Sequence, residues 1–164
     1  MKKRTTLVAA GLAALVLVAI ATAGPRGQAT AAVTQNTVTG GGAGIFPSGA
    51  SFNGVQLAGG TYGLGVKTYS DGSAIGDLEL QLNGTSLIGV SQWITITGWI
   101  TTGTLNADGT ITLHGTCILD MGDGTAPSTG VPLVANVTLT GIQVTVGATA
   151  VPMLPKSDGW IFIE

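Results

Sequence analysis

The chain has 164 residues, of which 27 are glycine, 45% are hydrophobic and only 9% are charged. This composition excludes a disordered protein, because disorder goes with many charges and few apolar residues. A single domain commonly holds about 100 to 200 residues, so one domain is expected. The only cysteine, Cys117, excludes an intrachain disulfide, and its place on an apolar strand face predicts a buried thiol.

Residues 1–31 have the composition of a secretory signal peptide. Three basic residues precede an apolar run of 17 residues, 7–23, and small residues follow. Cleavage is predicted after Ala23 or after Ala31, and an uncleaved anchor is the alternative, because 17 residues lie at the short end of the membrane-spanning range. Residues 32–164 are therefore predicted to form a secreted domain.

Charge limits the partners of this secreted domain. Without the leader, Lys67 and Lys156 stand against eight acidic residues, which gives a net charge of −6. Nucleic acids and anionic membranes attract clustered basic residues. Neither nucleic acid nor any membrane contact beyond the signal segment is expected.

Short runs of alternating residues predict strands joined by glycine turns. Strands are predicted at 50–57 and 61–69, on either side of the glycines in 58–60, with turns at 70–73 and at Asn83-Gly84. The strand at 75–83 has leucines on one parity and Asp77, Glu79 and Gln81 on the other. It is predicted to be half-buried with an acidic outer face.

The clearest pattern is an antiparallel hairpin at 91–119 with its turn at 106–109. One parity is apolar and predicted to face the core: Ile94, Ile96, Ile111, Leu113, Gly115, Cys117 and Leu119. The other parity carries threonines together with Trp93 and Trp99. The hairpin is therefore predicted to have one buried face and one polar face.

The rest of the chain extends the same pattern. Residues 131–146 change parity at Gly141, which predicts a bulge, and residues 160–163 predict a last strand. No amphipathic helix is indicated after the leader. The predicted fold is all-β: a single antiparallel β-sandwich or β-barrel of about eight to ten strands, preceded by a signal-peptide helix.

A loop at 120–130 is a candidate calcium site. Asp120, Asp123 and the Thr125 hydroxyl supply oxygen ligands of the kind that Ca²⁺ prefers. The spacing differs from that of an EF-hand, and Asp123-Gly124 also suits an ordinary turn. No other cofactor is expected.

The three tryptophans, Trp93, Trp99 and Trp160, are candidate glycan-binding residues. Trp93 and Trp99 share a strand parity six residues apart, about 20 Å along an extended strand. Aromatic rings on a polar sheet face stack on sugar rings. The favoured interpretation is nevertheless burial, with a bend at Gly98 turning one ring inward, because large aromatic residues mostly pack in cores.

The only histidine, His114, is predicted to lie on the outer threonine face. Catalysis in a barrel mouth would need Asp77 or Glu79 beside it. Nothing near it resembles a nucleophile motif, so an exposed strand histidine is favoured. No catalytic residue is assigned.

Several motifs together resemble secreted bacterial β-domains of the post-COAP type. They are Val38-Thr39-Gly40-Gly41-Gly42, Gly49-Ala50-Ser51-Phe52-Asn53 and Gly76-Asp77-Leu78-Glu79-Leu80, with weaker agreement in residues 94–98 and 120–130. Asn83-Gly84-Thr85-Ser86 stands where that family has an Asp-His stretch. The resemblance implies an extracytoplasmic β-fold and supplies no catalytic residues.

These observations favour a secreted, non-enzymatic β-domain with a structural, surface-assembly or adhesion role. Its expected partners are further copies of itself, or cell-surface proteins or polysaccharides. A glycan-binding module using Trp93 and Trp99 is the alternative, and a small barrel enzyme using His114 is the third hypothesis.

Overall fold

A computed structural model of the chain describes residues 32–164, which are all-β. The strands are β1 (Thr34–Ile45), β2 (Ser51–Phe52), β3 (Val55–Tyr69), β4 (Ser73–Ser86), β5 (Ser91–Leu105), β6 (Ile111–Asp120), β7 (Ser128–Thr138), β8 (Gly141–Val146), β9 (Thr149–Ala150), β10 (Leu154–Pro155) and β11 (Asp158–Ile163). The predicted signal peptide, 1–31, lies outside the described residues. Within 32–164 there is no helix long and apolar enough to cross a membrane.

Nine of these strands form one antiparallel sheet in the order β10-β8-β7-β6-β5-β4-β3-β1-β11. The two short strands β2 and β9 pair with β3 and β8. The sheet curls into a half-barrel. The all-β prediction is confirmed, and the strands are longer than expected, since β3 and β5 each have 15 residues.

The first and last strands of this order, β10 and β11, are joined by only two residues, Lys156 and Ser157. The Lys156 amide donates to the Thr140 carbonyl, next to β8, at 2.8 Å, and the Ser157 amide donates to the Ala43 carbonyl on β1 at 2.9 Å. We call this two-residue segment the joint. Through it, the two ends of the sheet are held beside each other.

A single hydrophobic core lies inside the curl, built by alternation of buried and outward residues along the long strands. Leu78, Leu80 and Leu82 on β4 are buried as predicted, while the alternate residues of that strand face solvent. The predicted inward parity of the hairpin is also confirmed. Cys117 is fully buried, and loss of solvation raises the pKa of its thiol.

Three turns share the pattern Asp-Gly-Ser/Thr, and all three lie at Asp-Gly dipeptides that suit a turn. In each, one carboxylate oxygen accepts hydrogen bonds from the hydroxyl and the amide two residues later: Asp71 from Ser73, Asp108 from Thr110 and Asp123 from Thr125. These hydrogen bonds lower the pKa of the three carboxyls, and the bond from the hydroxyl has the larger effect. The intervening glycines have φ between +80° and +86°, as such turns require.

The predicted break at 58–60 is wrong. Gly59 and Gly60 lie inside β3, where the register shifts once between Leu57 and Gly59. The chain turns earlier, at Asn53 and Gly54, whose φ values of 46° and 84° suit a tight hairpin turn. A short hairpin therefore precedes one long strand.

The predicted turn at Asn83-Gly84 is also wrong, because both residues lie inside β4. A Cβ on Gly84 would lie 2.4 Å from the Gln56 carbonyl oxygen of β3. Glycine at this position therefore allows β3 and β4 to approach each other closely. The chain turns later, at Gly89, which has a φ of 81°.

Residues 131–146 form a hairpin and not one bulged strand. Chain reversal at Leu139 and Thr140 separates β7 from β8. The Thr138 hydroxyl oxygen accepts a hydrogen bond from the Thr140 amide at 3.1 Å. A turn built on threonine lacks the usual glycine signal, and the change of parity comes from the turn.

Two glycines on neighbouring strands should respond oppositely to alanine. Gly84→Ala should destabilise the domain by about 1 to 3 kcal/mol, as overpacking does, because its methyl group meets backbone. Gly63→Ala should be neutral or stabilise by up to about 1 kcal/mol, because no atom lies within 4 Å of its ideal Cβ position. Urea denaturation of both variants measures the difference, and equal midpoints would contradict the strand packing described.

Candidate functional site

The outward side chains of four neighbouring strands, β11, β1, β3 and β4, form a shallow surface that we call the outer trough. Its floor consists of small residues on the two middle strands: Thr39, Gly41, Ala43, Thr61, Gly63 and Gly65. One wall is polar and lies on β4: Asp77, Glu79 and Gln81. The other wall is aromatic and lies on β11: Trp160 and Phe162.

Strand register places these residues in rows across the sheet. One row runs through Phe162, Thr39, Gly65 and Asp77, and the next through Trp160, Gly41, Gly63 and Glu79. Three interstrand steps separate the walls, which is about 14 Å along the sheet. The trough is therefore wide enough for a ligand to lie between the two walls.

The floor is open because glycine has no side chain. No atom lies within 4 Å of an ideal Cβ on Gly63 or Gly65. A hollow of about 220 Å³ is lined by Thr61, Tyr62, Gly63, Glu79 and Gln81. A second hollow of about 440 Å³ shares Thr61 and Gln81 with it and reaches Ile45 and Trp93. The open surface thus continues past the trough toward β5.

The aromatic wall consists of two rings that touch each other. The ring centroids of Trp160 and Phe162 are 5.3 Å apart with planes tilted by 32°. Trp160 is 45% exposed and Phe162 57%. About half of each side chain is therefore open to solvent beside the trough.

The preference for buried tryptophans is wrong. Trp93 is 62% exposed and Trp99 48%, and both stand on the outward face of β5. The predicted bend at Gly98 does not occur. Gly98 keeps the alternation and points inward, where a Cβ would lie 2.3 Å from a methyl group of Leu133.

The three tryptophans share the outer face without converging on one point. Trp99 is opposite Asp77, behind the polar wall, and Trp93 is opposite Asn83 at the far hollow. Trp160 lies four strands away from β5. The aromatic rings therefore border the open surface on both sides.

Within the polar wall, Glu79 Oε1 accepts a hydrogen bond from the Gln81 side-chain amide at 3.1 Å. This contact leaves the second oxygen of Glu79 and the carbonyl of Gln81 facing solvent. The wall offers acceptors along two successive rows.

Tyr62 lies beneath the floor and is 5% exposed. Its hydroxyl is buried and has no hydrogen-bond partner among the described residues. A Cβ on Gly42 would lie 2.8 Å from this hydroxyl, so the glycine provides its space. Burial, and next the negative charge of Asp158, raise the pKa of the phenol above its ordinary value of 10.0.

The candidate calcium ligands each belong to a local turn. Asp120 accepts from the Gly122 amide at 2.8 Å, and Asp123 accepts from the Thr125 hydroxyl at 2.6 Å. Within residues 32–164, no three His, Cys, Asp or Glu side chains come together as metal ligands. The loop borders a hollow of about 450 Å³ beside the tip of the β4–β5 hairpin. Calcium binding at Asp120, Asp123 and Thr125 stays a prediction.

His114 faces outward from β6, as predicted, and is exposed. Strand β5 separates β6 from β4, so Asp77 and Glu79 lie two strands away, about 10 Å along the sheet. A general base must come within about 3 Å of the proton that it removes. The pairing of β4 with β6 that the catalytic hypothesis needs does not occur.

Sequence reasoning missed Phe162 and the floor of the trough. Outward positions on β3 alternate with apolar ones as Thr61, Gly63 and Gly65, a run of small residues that signals an uncovered face. Phe162 shares the parity of Trp160, which signals a pair of rings on one face. Both signals can be seen within one strand. The strand order that brings β3 and β11 to the same surface depends on residues far apart in the chain.

Comparison with known proteins gives no match to a protein-family profile, to a curated protein or to a solved structure. Membership of the post-COAP family therefore stays a prediction.

Removing the Tyr62 hydroxyl tests whether this buried group lacks a hydrogen-bond partner. A buried hydroxyl without a partner costs about 1 to 3 kcal/mol, so Tyr62→Phe should be at least as stable as the wild type. Chemical denaturation measures this, with Tyr69→Phe on the same strand as the control. A loss of more than about 1 kcal/mol, the net worth of one hydrogen bond, would mean that the hydroxyl is bonded, for example to an ordered water.

Proposed function

We propose that this protein is a secreted, non-enzymatic adhesion domain that binds glycans in the outer trough. The observation that carries the proposal is the exposed pair Trp160 and Phe162, facing a row of hydrogen-bond acceptors across a floor without large side chains. Secretion is supported by the leader-like composition of residues 1–31.

The chemistry of the two walls suits a sugar ring. A pyranose has apolar C–H faces, which pack on aromatic rings, and hydroxyl groups around its edge. Binding sites commonly combine apolar and aromatic lining with a few well-placed polar groups. Here the rings of Trp160 and Phe162 meet the apolar faces, while Glu79 and Gln81 accept hydrogen bonds from hydroxyls.

The arrangement of the carboxylates favours binding over hydrolysis. Glycoside hydrolysis commonly needs two carboxyl groups on opposite sides of the scissile bond, about 5 to 9.5 Å apart. Asp77 and Glu79 stand side by side on one strand and meet the same side of a ligand. The carboxylate on β11, Asp158, is three strands away in the row of Gln81, so it lies more than about 14 Å from both of them along the sheet.

Loss of the aromatic wall tests glycan binding. The double variant Trp160→Ala/Phe162→Ala should bind polysaccharide at least about tenfold more weakly, a loss of about 1.4 kcal/mol. Leu105→Ala removes an exposed apolar side chain outside the trough and should leave binding unchanged. Pull-down and tryptophan fluorescence with chitin, cellulose and peptidoglycan measure binding. No binding by the wild type to any of them, or equal binding by the double variant, would contradict the proposal.

Surface assembly is a second candidate function, favoured by the tip of the β4–β5 hairpin. Leu87 is 90% exposed and Ile88 86%, and Val90 is also exposed. These neighbours line the hollow of about 450 Å³ near Asp123. Contiguous exposed apolar side chains mark interaction sites.

Light scattering at high protein concentration tests assembly. We expect the wild type to self-associate and a Leu87→Ser/Ile88→Ser variant to be monomeric, because the variant removes the apolar surface that association would bury. Ile75→Ser, which removes an exposed apolar side chain on β4, is the control. A monomeric wild type would end this candidate without affecting glycan binding.

A further inference from the structure

We infer that the ligand of the outer trough is an amine-bearing glycan, such as a polymer of glucosamine with free amino groups. This inference rests on the proposed function and adds the chemical class of the sugar. It follows from the charges around the trough, from the exposed rings of its aromatic wall and from the sheet face that forms its floor.

The two central rows of the trough, those of Trp160 and Phe162, carry negative charge alone. Asp77 and Glu79 stand in these rows on the polar wall, and Asp158 on β11 stands in the next row, opposite Ala43. The two lysines of the described residues lie outside these rows. Lys67 is opposite Thr37 at one end, in the row that Glu164 also joins, so these two opposite charges offset each other. Lys156 belongs to the joint at the other end.

This distribution selects ligands by charge. A protonated amine in the trough is attracted by Asp77 and Glu79 on the polar wall, whereas a uronic acid or a phosphate-bearing polymer is repelled by them. The exposed rings of Trp160 and Phe162 add a second attraction, since a cation is stabilised over an aromatic ring. Both effects favour an amino sugar over its neutral acetylated form.

The geometry of the floor favours a glycan over a cationic peptide. An extended peptide gains affinity at a sheet edge, where unpaired backbone groups extend the ladder. The floor of the trough is a sheet face, and the backbone groups of β1 and β3 are already paired with neighbouring strands on both sides. A sugar ring needs no such backbone partner and lies against the glycines and the aromatic wall.

Affinity measurements with matched polymers test the inference. A soluble glucosamine polymer is compared with its re-acetylated neutral form and with alginate, at a pH where the amines are protonated and at low salt. We expect the wild type to prefer the amine form about tenfold, which corresponds to about 1.4 kcal/mol. Added salt should reduce this preference, because exposed charges are screened.

Variants then test whether the polar wall causes the preference for the amine polymer. Asp77→Asn/Glu79→Gln should bind both polymers nearly equally, because the amides that replace the two carboxylates carry no charge. Asp123→Asn makes the same type of change outside the trough, and its amide oxygen can still accept from Thr125, so the preference should persist. The Trp160→Ala/Phe162→Ala variant should lose affinity for both polymers.

Each of the following results would overturn one part of the inference. Equal wild-type binding to the two polymers, or an unchanged preference in Asp77→Asn/Glu79→Gln, overturns the amine inference and leaves glycan binding intact. Binding of polylysine as tightly as the glucosamine polymer overturns the choice of a glycan as the cationic ligand. Binding of no polysaccharide overturns the inference together with the proposed function.

Discussion

The curled sheet depends on the backbone hydrogen bonds that the joint makes to both of its ends. Lys156 donates toward the β8 end and Ser157 donates to β1. Because consecutive residues make these contacts, strands at opposite ends of the order are held side by side, and the inward aliphatic residues share one core. The same segment continues as β11 and brings Trp160 and Phe162 to the edge of β1. One stretch of chain therefore both curls the sheet and supplies the aromatic wall of the trough.

Alternation along a strand could be predicted because it depends only on neighbouring residues. Leu80, Ile96 and Leu113 are buried where period-two patterning places them. The role of a glycine could not be predicted in this way. Asn53-Gly54 is a turn with positive φ at both residues, while Asn83-Gly84 is ordinary strand. The same dipeptide differs because Gly84 faces the Gln56 carbonyl of another strand, a contact that no local pattern contains.

The trough could be predicted only in part for a related reason. Its polar wall was predicted as the acidic outer face of one strand, and Trp160 was recognised as a candidate ring. The floor, however, joins Gly41 to Gly63, and the far wall comes from Phe162, about a hundred residues later in the chain. Register between distant strands sets which outward residues become neighbours. That register follows from core packing and from the joint.

The distribution of aromatic residues supports the proposal that a ligand binds to the outer face. Phe46 and Phe52 are buried, whereas the three tryptophans and Phe162 stand in solvent. Burying a large apolar side chain stabilises a protein by about 1.5 to 3 kcal/mol, and an exposed side chain does not gain this stabilisation. The neighbouring outward positions hold threonine, glycine or carboxylates, so the fold does not need aromatic residues on this face. Single exposed apolar residues need no special reason. Here two rings touch each other, and Trp99 stands in the same row as Phe162, across the floor and the polar wall. The part of each ring that stays exposed after folding can still be buried by a ligand, so its burial would contribute to binding.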